Sequence, residues 1–392
     1  MIYLDNAATT AVLPEVWEKM KPFFTEDFAN PASMYAPARK ARAAMEESRR
    51  IIAGSLGAAP EEIFFTSGGS ESDNWVLKAV SDKAQAEGKK HIITSAVEHP
   101  AILSTCRYLK QHGFEVTQLP VTEEGIVKPE VLEKSIRPDT CLVSVMTANN
   151  ESGTIQPIKE LCRIAKAHGA LFHTDAVQAY GHIPVNVKDW DVDFLSASGH
   201  KFHGPKGVGF LYIRKGIPVG PLIHGGSQER NRRAGTSNVP GIVGMGEAAR
   251  IAMRDMEKNI AKETALRDEL VSRVREEIPF VRVTGTMNPR LPGNSHFCFR
   301  FVESETILIL LDQRGICASG GSACATGAEE ISHVLTAMHV DPEYAHGALR
   351  LTLSEQTTEE EIDTTVEALK EIIAKLRSMS PAFKEWQGQQ SR

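Results

Sequence analysis

Ile63-Phe64-Phe65-Thr66-Ser67-Gly68-Gly69-Ser70-Glu71-Ser72 passes from a short apolar run into small hydroxylic and glycine residues, and from there into helical spacing. Glu62 to Thr66 predicts a strand, and Ser70 to Ala86 predicts the helix that follows it. Upstream, Pro37 to Leu56 reads as a helix rich in Ala and Arg, stopped by Gly57. Downstream, His91 to Ser95 (strand) and Pro100 to His112 (helix) repeat the unit. Phe114 to Leu119, Thr140 to Met146, Ile158 to His168 and Ala170 to Thr174 continue it. Strands alternating with helices predict an α/β fold with a mainly parallel sheet covered on both faces.

The pattern changes at Val239, where a nearly unbroken helical stretch runs to Glu277. Strands at Val281 to Thr284 and His296 to Phe301 follow, with helices at Glu305 to Gln313 and Thr358 to Met379. The last helix carries apolar residues at Ile362, Val366, Leu369, Ile372, Ile373 and Leu376. A large α/β domain followed by a smaller α+β domain is therefore expected. The final run, Gln387 to Arg392, is polar without an apolar anchor and is expected to fray.

With 392 residues, 42% hydrophobic and 24% charged, the chain is an ordinary globular one. A net charge of −6 argues against nucleic acid or an anionic membrane as a bulk electrostatic partner. The longest pure aliphatic run is Ile307 to Leu311, far short of a membrane span, and the N-terminus shows no secretory pattern, so a cytoplasmic location is expected. The cysteines form no C-x-x-C pair, which leaves neither a zinc nor a disulfide signature, and no metal site is expected.

Ligands of open parallel sheets collect where strands end, which directs attention to four loops. Thr66 to Ser72 offers glycines for close backbone approach and hydroxyls at Ser67 and Ser70, a phosphate cradle or an ordinary helix cap. Asp175, at the end of a buried strand, needs a cationic or donor partner, for which a protonated pyridine nitrogen or a neighbouring turn would serve. Gln178 lies one helical step beyond. Lys201, in Ser198-Gly199-His200-Lys201, is flanked by small residues and glycines. It is either a surface turn or a desolvated amine suited to Schiff-base chemistry. Cys324 stands in Gly320-Gly321-Ser322-Ala323-Cys324-Ala325-Thr326-Gly327, where a loop without apolar anchors is expected to be mobile and to present a nucleophilic thiol. Pairing with Cys317 is the alternative. Lys201 with Asp175 and a phosphate loop is the constellation that an aldehyde cofactor such as pyridoxal 5'-phosphate needs.

Tyr3-Leu4-Asp5-Asn6-Ala7-Ala8-Thr9-Thr10, Thr66 to Ser72, Glu98-His99-Pro100-Ala101, Asn149-Asn150-Glu151-Ser152-Gly153, Ser198 to Lys201 and Gly321-Ser322-Ala323-Cys324 occur here in one order. In that combination the chain resembles the cysteine desulfurases of the nitrogen-fixation and iron–sulfur-cluster assembly type, within the class V aminotransferase family. The resemblance implies a fold-type I pyridoxal-phosphate enzyme with a mainly parallel seven-stranded sheet. It would act as a homodimer that converts L-cysteine to L-alanine and passes the sulfur to an acceptor protein. It divides the chain into a large domain (13–250), a small domain (1–12 with 251–380) carrying the cysteine loop, and a tail (381–392).

By motif position, Lys201 would hold the cofactor aldehyde, and His99 would stack on its ring and assist proton transfer. Asp175 would pair with the ring nitrogen, with Gln178 and Asn150 near the ring oxygen. Gly69, Ser70, Ser198 and His200 would hold the phosphate, joined by Thr236 from a partner subunit. Arg350, with Asn150, would bind the substrate carboxylate. Cys324 would take the sulfur as a persulfide and is a candidate transient iron–sulfur ligand. Ala318-Ser319-Gly320-Gly321 replaces the paired serines frequent in relatives, and the C-terminus is shorter than in scaffold-docking ones. A selenocysteine lyase, an aminotransferase and a non-catalytic sulfur carrier are the rival readings.

Overall fold

The computed structural model describes residues 1–320 and 331–390. β1 (Ile2–Tyr3) opens the chain. The large sheet follows: β2 (Ile63–Thr66), β3 (His91–Ser95), β4 (Glu115–Leu119), β5 (Thr140–Ser144), β6 (Leu171–Asp175), β7 (Phe194–Ser198) and β8 (Gly209–Ile213). Their order across the sheet is β2-β8-β7-β6-β5-β3-β4. The pairs from β7 through β4 are parallel, whereas β8 runs antiparallel to both of its neighbours.

Side chains alternate between the two faces, as a two-residue period demands. Ile63, Phe65, Ile93, Val143, Phe172, Leu195 and Phe210 share a core with Ile52, Leu56, Leu161, Cys162, Ile242 and Met245 from the helices over one face. Phe64, Ile92, Leu142, Phe194 and Leu211 meet Trp75, Val76, Val80, Ile102, Cys106 and Leu109 on the other. Burial on both faces explains why these strands read as continuous apolar runs.

A smaller antiparallel sheet holds β9 (Val281–Val283), β10 (Asn294–Phe299) and, past β11 (Ile316–Cys317), β12 (Ala348–Thr352), in the order β12-β10-β9. β1 pairs in parallel with β11, which returns the N-terminus to this sheet's neighbourhood. The Val239–Glu277 helix spans 39 residues, about 58 Å at 1.5 Å per residue. Ile242, Met245 and Ala249 lie in the large-sheet core. Leu266, Leu270 and Val274 lie in the core built on Phe297, Phe299, Leu349, Leu351, Ile362 and Val366.

Two differences from the sequence reading have clear causes. The fraying expected of Gln387–Arg392 is not observed as far as Gln390, because the Pro381–Gln390 helix continues through it, and Ser391 and Arg392 lie outside the described residues. Its anchor lies just upstream: Trp386 packs edge-on against Phe280 at 4.8 Å and Phe383 against Phe301 at 5.3 Å. β6 runs one residue beyond Thr174, so Asp175 closes the strand itself. No helix among the described residues is long and apolar enough to cross a membrane.

Candidate active site

The site forms where β6 and β7 end and the N-terminal run crosses them. Asp175 is 4% exposed, and its Oδ1 accepts the Val177 N–H at 2.8 Å. Burial pushes its carboxyl up, while His99, the Val177 N–H and Lys201 pull it down. His99 caps the Pro100–Gln111 helix, its Nδ1 accepting the Ala101 N–H at 3.1 Å. That bond places the ring proton on Nε2. Burial lowers the affinity of His99 for a second proton, against the pull of Asp175.

Lys201 Nζ donates to the carbonyls of Ala7 (2.6 Å) and Ala8 (2.8 Å). Gln178 Nε2 donates to the same Ala7 carbonyl at 3.0 Å. The N-terminal run thus lies against the reactive lysine, held in place by Thr10, whose N–H donates to the His200 carbonyl at 2.9 Å. It also carries Asp5, whose Oδ1 takes Arg350 Nη2 at 2.9 Å, while Arg350 Nη1 donates to the Asn150 carbonyl at 2.9 Å. Arg350 is 2% exposed, so this fork is fixed rather than solvated.

Beside these groups lies a cavity of about 470 Å³ lined by Thr9, Gly69, Ser70, Ser198, His200 and Lys206, among others. No side chain among the described residues caps the Gly69–Ala86 helix, so its first backbone amides face this space. A Cβ on Gly69 would stand 2.5 Å from Val177 Cγ2, so a side chain there would collide with the segment that follows Asp175. His200, with Nδ1 3.1 Å from Thr9 Oγ1, is pushed down to about 4 by burial and by Lys201 and Lys206, which keeps its ring neutral. An uncapped helix start, hydroxyls and a lysine at one end and a buried carboxylate and an amine at the other fit pyridoxal phosphate.

The structure therefore brings together Gly69, Ser70, Ser198 and His200 in one cavity. It gathers His99, Asp175, Gln178 and Lys201 beside it, and joins Arg350 to Asn150. Thr236 is not in that group; it lines a neighbouring cavity of about 170 Å³ with Ser67, Gly207 and Arg233. Cys324 lies outside the described residues. Burial pushes the thiols of Cys106, Cys162 and Cys298 up to about 12 and that of Cys141 to about 11, which removes these four as nucleophiles. Asp5, the Ala7 and Ala8 carbonyls, Thr9 and Lys206 were not singled out from sequence. Of these Lys206 carried a signal, standing between Pro205 and Gly207 in the glycine-rich stretch that follows Lys201.

Residues 2–365 match the family model for aminotransferase class-V. The chain belongs to that family. Within it, the chain is 53% identical over 385 residues to a cysteine desulfurase IscS of Dictyoglomus turgidum, covering 98% of each chain. It is 50% identical to a cysteine desulfurase IscS of Methanosarcina thermophila, over 97% of this chain and 94% of that one. A solved NifS-like protein superposes with a TM-score of 0.90 at 43% identity, covering 95% of this chain and 99% of that one. The structure of SspA in complex with cysteine gives a TM-score of 0.80 at 36% identity, over 91% and 100%.

Proposed function

We propose that this chain is a pyridoxal-phosphate-dependent cysteine desulfurase that converts L-cysteine to L-alanine and takes the sulfur onto Cys324 as a persulfide. The observation that carries this reading is the convergence of Asp175, His99 and Lys201 beside a cavity lined by Gly69, Ser70, Ser198 and His200, with Arg350 held to Asp5 of the same N-terminal run that Lys201 contacts. Bound there, the cofactor supplies an aldehyde for the substrate amine and a protonated ring that accepts the electrons left by the departing Cα proton.

In this reading Gly69, Ser70, Ser198 and His200 hold the phosphate and Asp175 faces the ring nitrogen. Gln178 and Asn150 attend the ring oxygen, His99 stacks on the ring, and Lys201 holds the aldehyde and moves the Cα proton. Arg350, oriented by Asp5 and Asn150, grips the substrate carboxylate in two places, as a planar fork does and an ammonium does not. Thr236 reaches the phosphate of a second copy, which fits its place in the neighbouring cavity. Phe28 and Met34, 73% and 93% exposed, support a surface covered by that copy. We divide the chain into a large domain (13–250) and a small one (1–12 with 251–380), followed by a tail (381–392); the core that joins Leu4 to Leu266, Phe297, Leu349 and Ile362 supports the small one, and Val334, Leu335 and Ala348 pack from it into the large-sheet core. We place the reaction in the cytoplasm, with an acceptor protein receiving the sulfur and Cys324 a candidate transient iron–sulfur ligand.

Among the remaining thiols, Cys317 is half-buried and held in β11 against Tyr3, a rigid setting for a group that must deliver sulfur. The test is alanine formation from L-cysteine with a reductant, in the native protein and in Cys324→Ala. Alanine from the native protein alone is the expected result. Equal formation by both would move the nucleophile to Cys317. None from either, with cofactor bound, would refute the desulfurase reading.

A further inference from the structure

The N-terminal run, the Lys201 turn and the segment after β12 meet a second time, behind the active site, on His203. This residue follows Lys201 by two positions and holds φ at +66°, a left-handed conformation that a residue other than glycine keeps only when its surroundings compel it. The compelling contacts are on every side. The His203 N–H donates to Thr10 Oγ1 at 2.8 Å, and its carbonyl accepts the Leu13 N–H at 3.4 Å. Nδ1 lies 2.9 Å from the Ala11 carbonyl oxygen. Nε2 lies 3.1 Å from Glu355 Oε2, an ion-pair contact rather than an aligned hydrogen bond. Glu355 sits in the turn that continues the strand bearing Arg350.

The Ala11 carbonyl only accepts, so Nδ1 carries a proton, and a carboxylate 3.1 Å from Nε2 attracts the ring only when that nitrogen carries one as well. We propose that His203, as an imidazolium paired with Glu355, is a positioning residue for the reaction: it fixes the Lys201 turn relative to the Arg350 strand and so sets where the substrate carboxylate sits. This rests on the reading that Lys201 and Arg350 serve one substrate.

The surroundings agree. Burial works against the imidazolium, but Glu355 outweighs it and leaves His203 above its ordinary value; Glu355 is correspondingly held below its own. Other titratable groups line the same cavity of about 180 Å³. His182, whose Nε2 faces the Lys201 carbonyl at 2.8 Å, is kept from charging by burial. Glu263 is pushed up to about 8 by burial and by Glu355. Glu15, Arg254 and Asp255 complete the lining. Because the folded value of His203 is raised and that of Glu355 lowered, the pair is complete between pH 4.5 and pH 6.5 and is lost as pH climbs through the folded value of His203.

The experiment uses the full chain loaded with pyridoxal phosphate, as native protein, Glu355→Gln and His203→Asn, the last chosen because asparagine tolerates the left-handed conformation. The KM for L-cysteine in alanine formation is followed from pH 6 to pH 9. The expected KM ratio of Glu355→Gln to native is about fivefold at pH 6.5, with kcat within about twofold, and it falls toward one as the native ring loses its proton. Imidazole proton resonances give an independent readout, with the His203 signal assigned by its loss in His203→Asn. That signal is expected to titrate above 6.5 in the native protein and lower in Glu355→Gln. An unchanged KM, an equal fall in kcat, or a native His203 titrating at or below 6.5 would each overturn the proposal. If the native protein forms no alanine, the desulfurase reading fails by itself, and the ring titration still decides whether the pair exists.

Discussion

Glu98 offers a quantitative test of how burial sets protonation beside the active site. Its side chain is fully buried next to His99, with Oε1 accepting the Ser95 hydroxyl at 2.5 Å and the Met146 N–H at 2.9 Å. Oε2 has no partner among the described residues. Burial pushes the carboxyl up from 4.5 to about 8, with Ser95 and Met146 pulling down and Asp175 pushing further up. A raised folded value means that the favourable contribution is complete below pH 4.5 and is lost progressively as pH rises to about 8. Each pH unit in that window costs about 1.4 kcal/mol, so the native protein carries a cost of about 3 kcal/mol at pH 7. Glu98→Gln presents the same oxygen to the same donors and takes up no proton on folding. Urea denaturation of both proteins at equal cofactor saturation, between pH 5 and pH 9, is the assay. The stability difference should shift in favour of the variant by about 2.5 kcal/mol from pH 5 to pH 7 and level off above pH 8. Parallel stability curves over that range would refute the argument.

Two further expectations follow from the same geometry. Arg350→Lys keeps the charge but reaches only one of Asp5 and the Asn150 carbonyl, so the KM for L-cysteine should rise about 10- to 100-fold with the fold retained; an unchanged KM would remove Arg350 from the site. Replacing both Phe383 and Trp386 by alanine removes the aromatic anchor of the Pro381–Gln390 helix, so its amide exchange should rise about tenfold or more while alanine formation is unaffected, and a helix that stays protected would place the anchor elsewhere.

Much of the fold was legible because its signals are local. The Ile63–Thr66 strand, the Gly57 stop after Leu56 and the helix from Val239 to Glu277 each follow from spacing within a few residues. β8 was missed because Gly209–Ile213 is a buried run whose direction depends on pairing with β2 and β7, not on its composition. The tail was misjudged for a related reason: a polar sequence does not reveal that Phe280 and Phe301 wait for two aromatics just upstream.

At the site, the sequence by itself supplied the reactive types: a lysine among glycines, an acid at the end of a strand, small residues at a helix start, and a cysteine in a loop of small residues. These are chain-local facts, because each depends on its immediate neighbours. Only the tertiary structure decided their company. Lys201 meets the Ala7 carbonyl across 194 residues and Arg350 meets Asp5 across 345, separations at which no periodicity survives. Protonation was decided there too, since the same carboxyl is an ordinary acid in water and holds its proton to about pH 8 in the dry interior where Glu98 lies. Sequence sets which groups are present, and the fold sets which of them are charged and what they face.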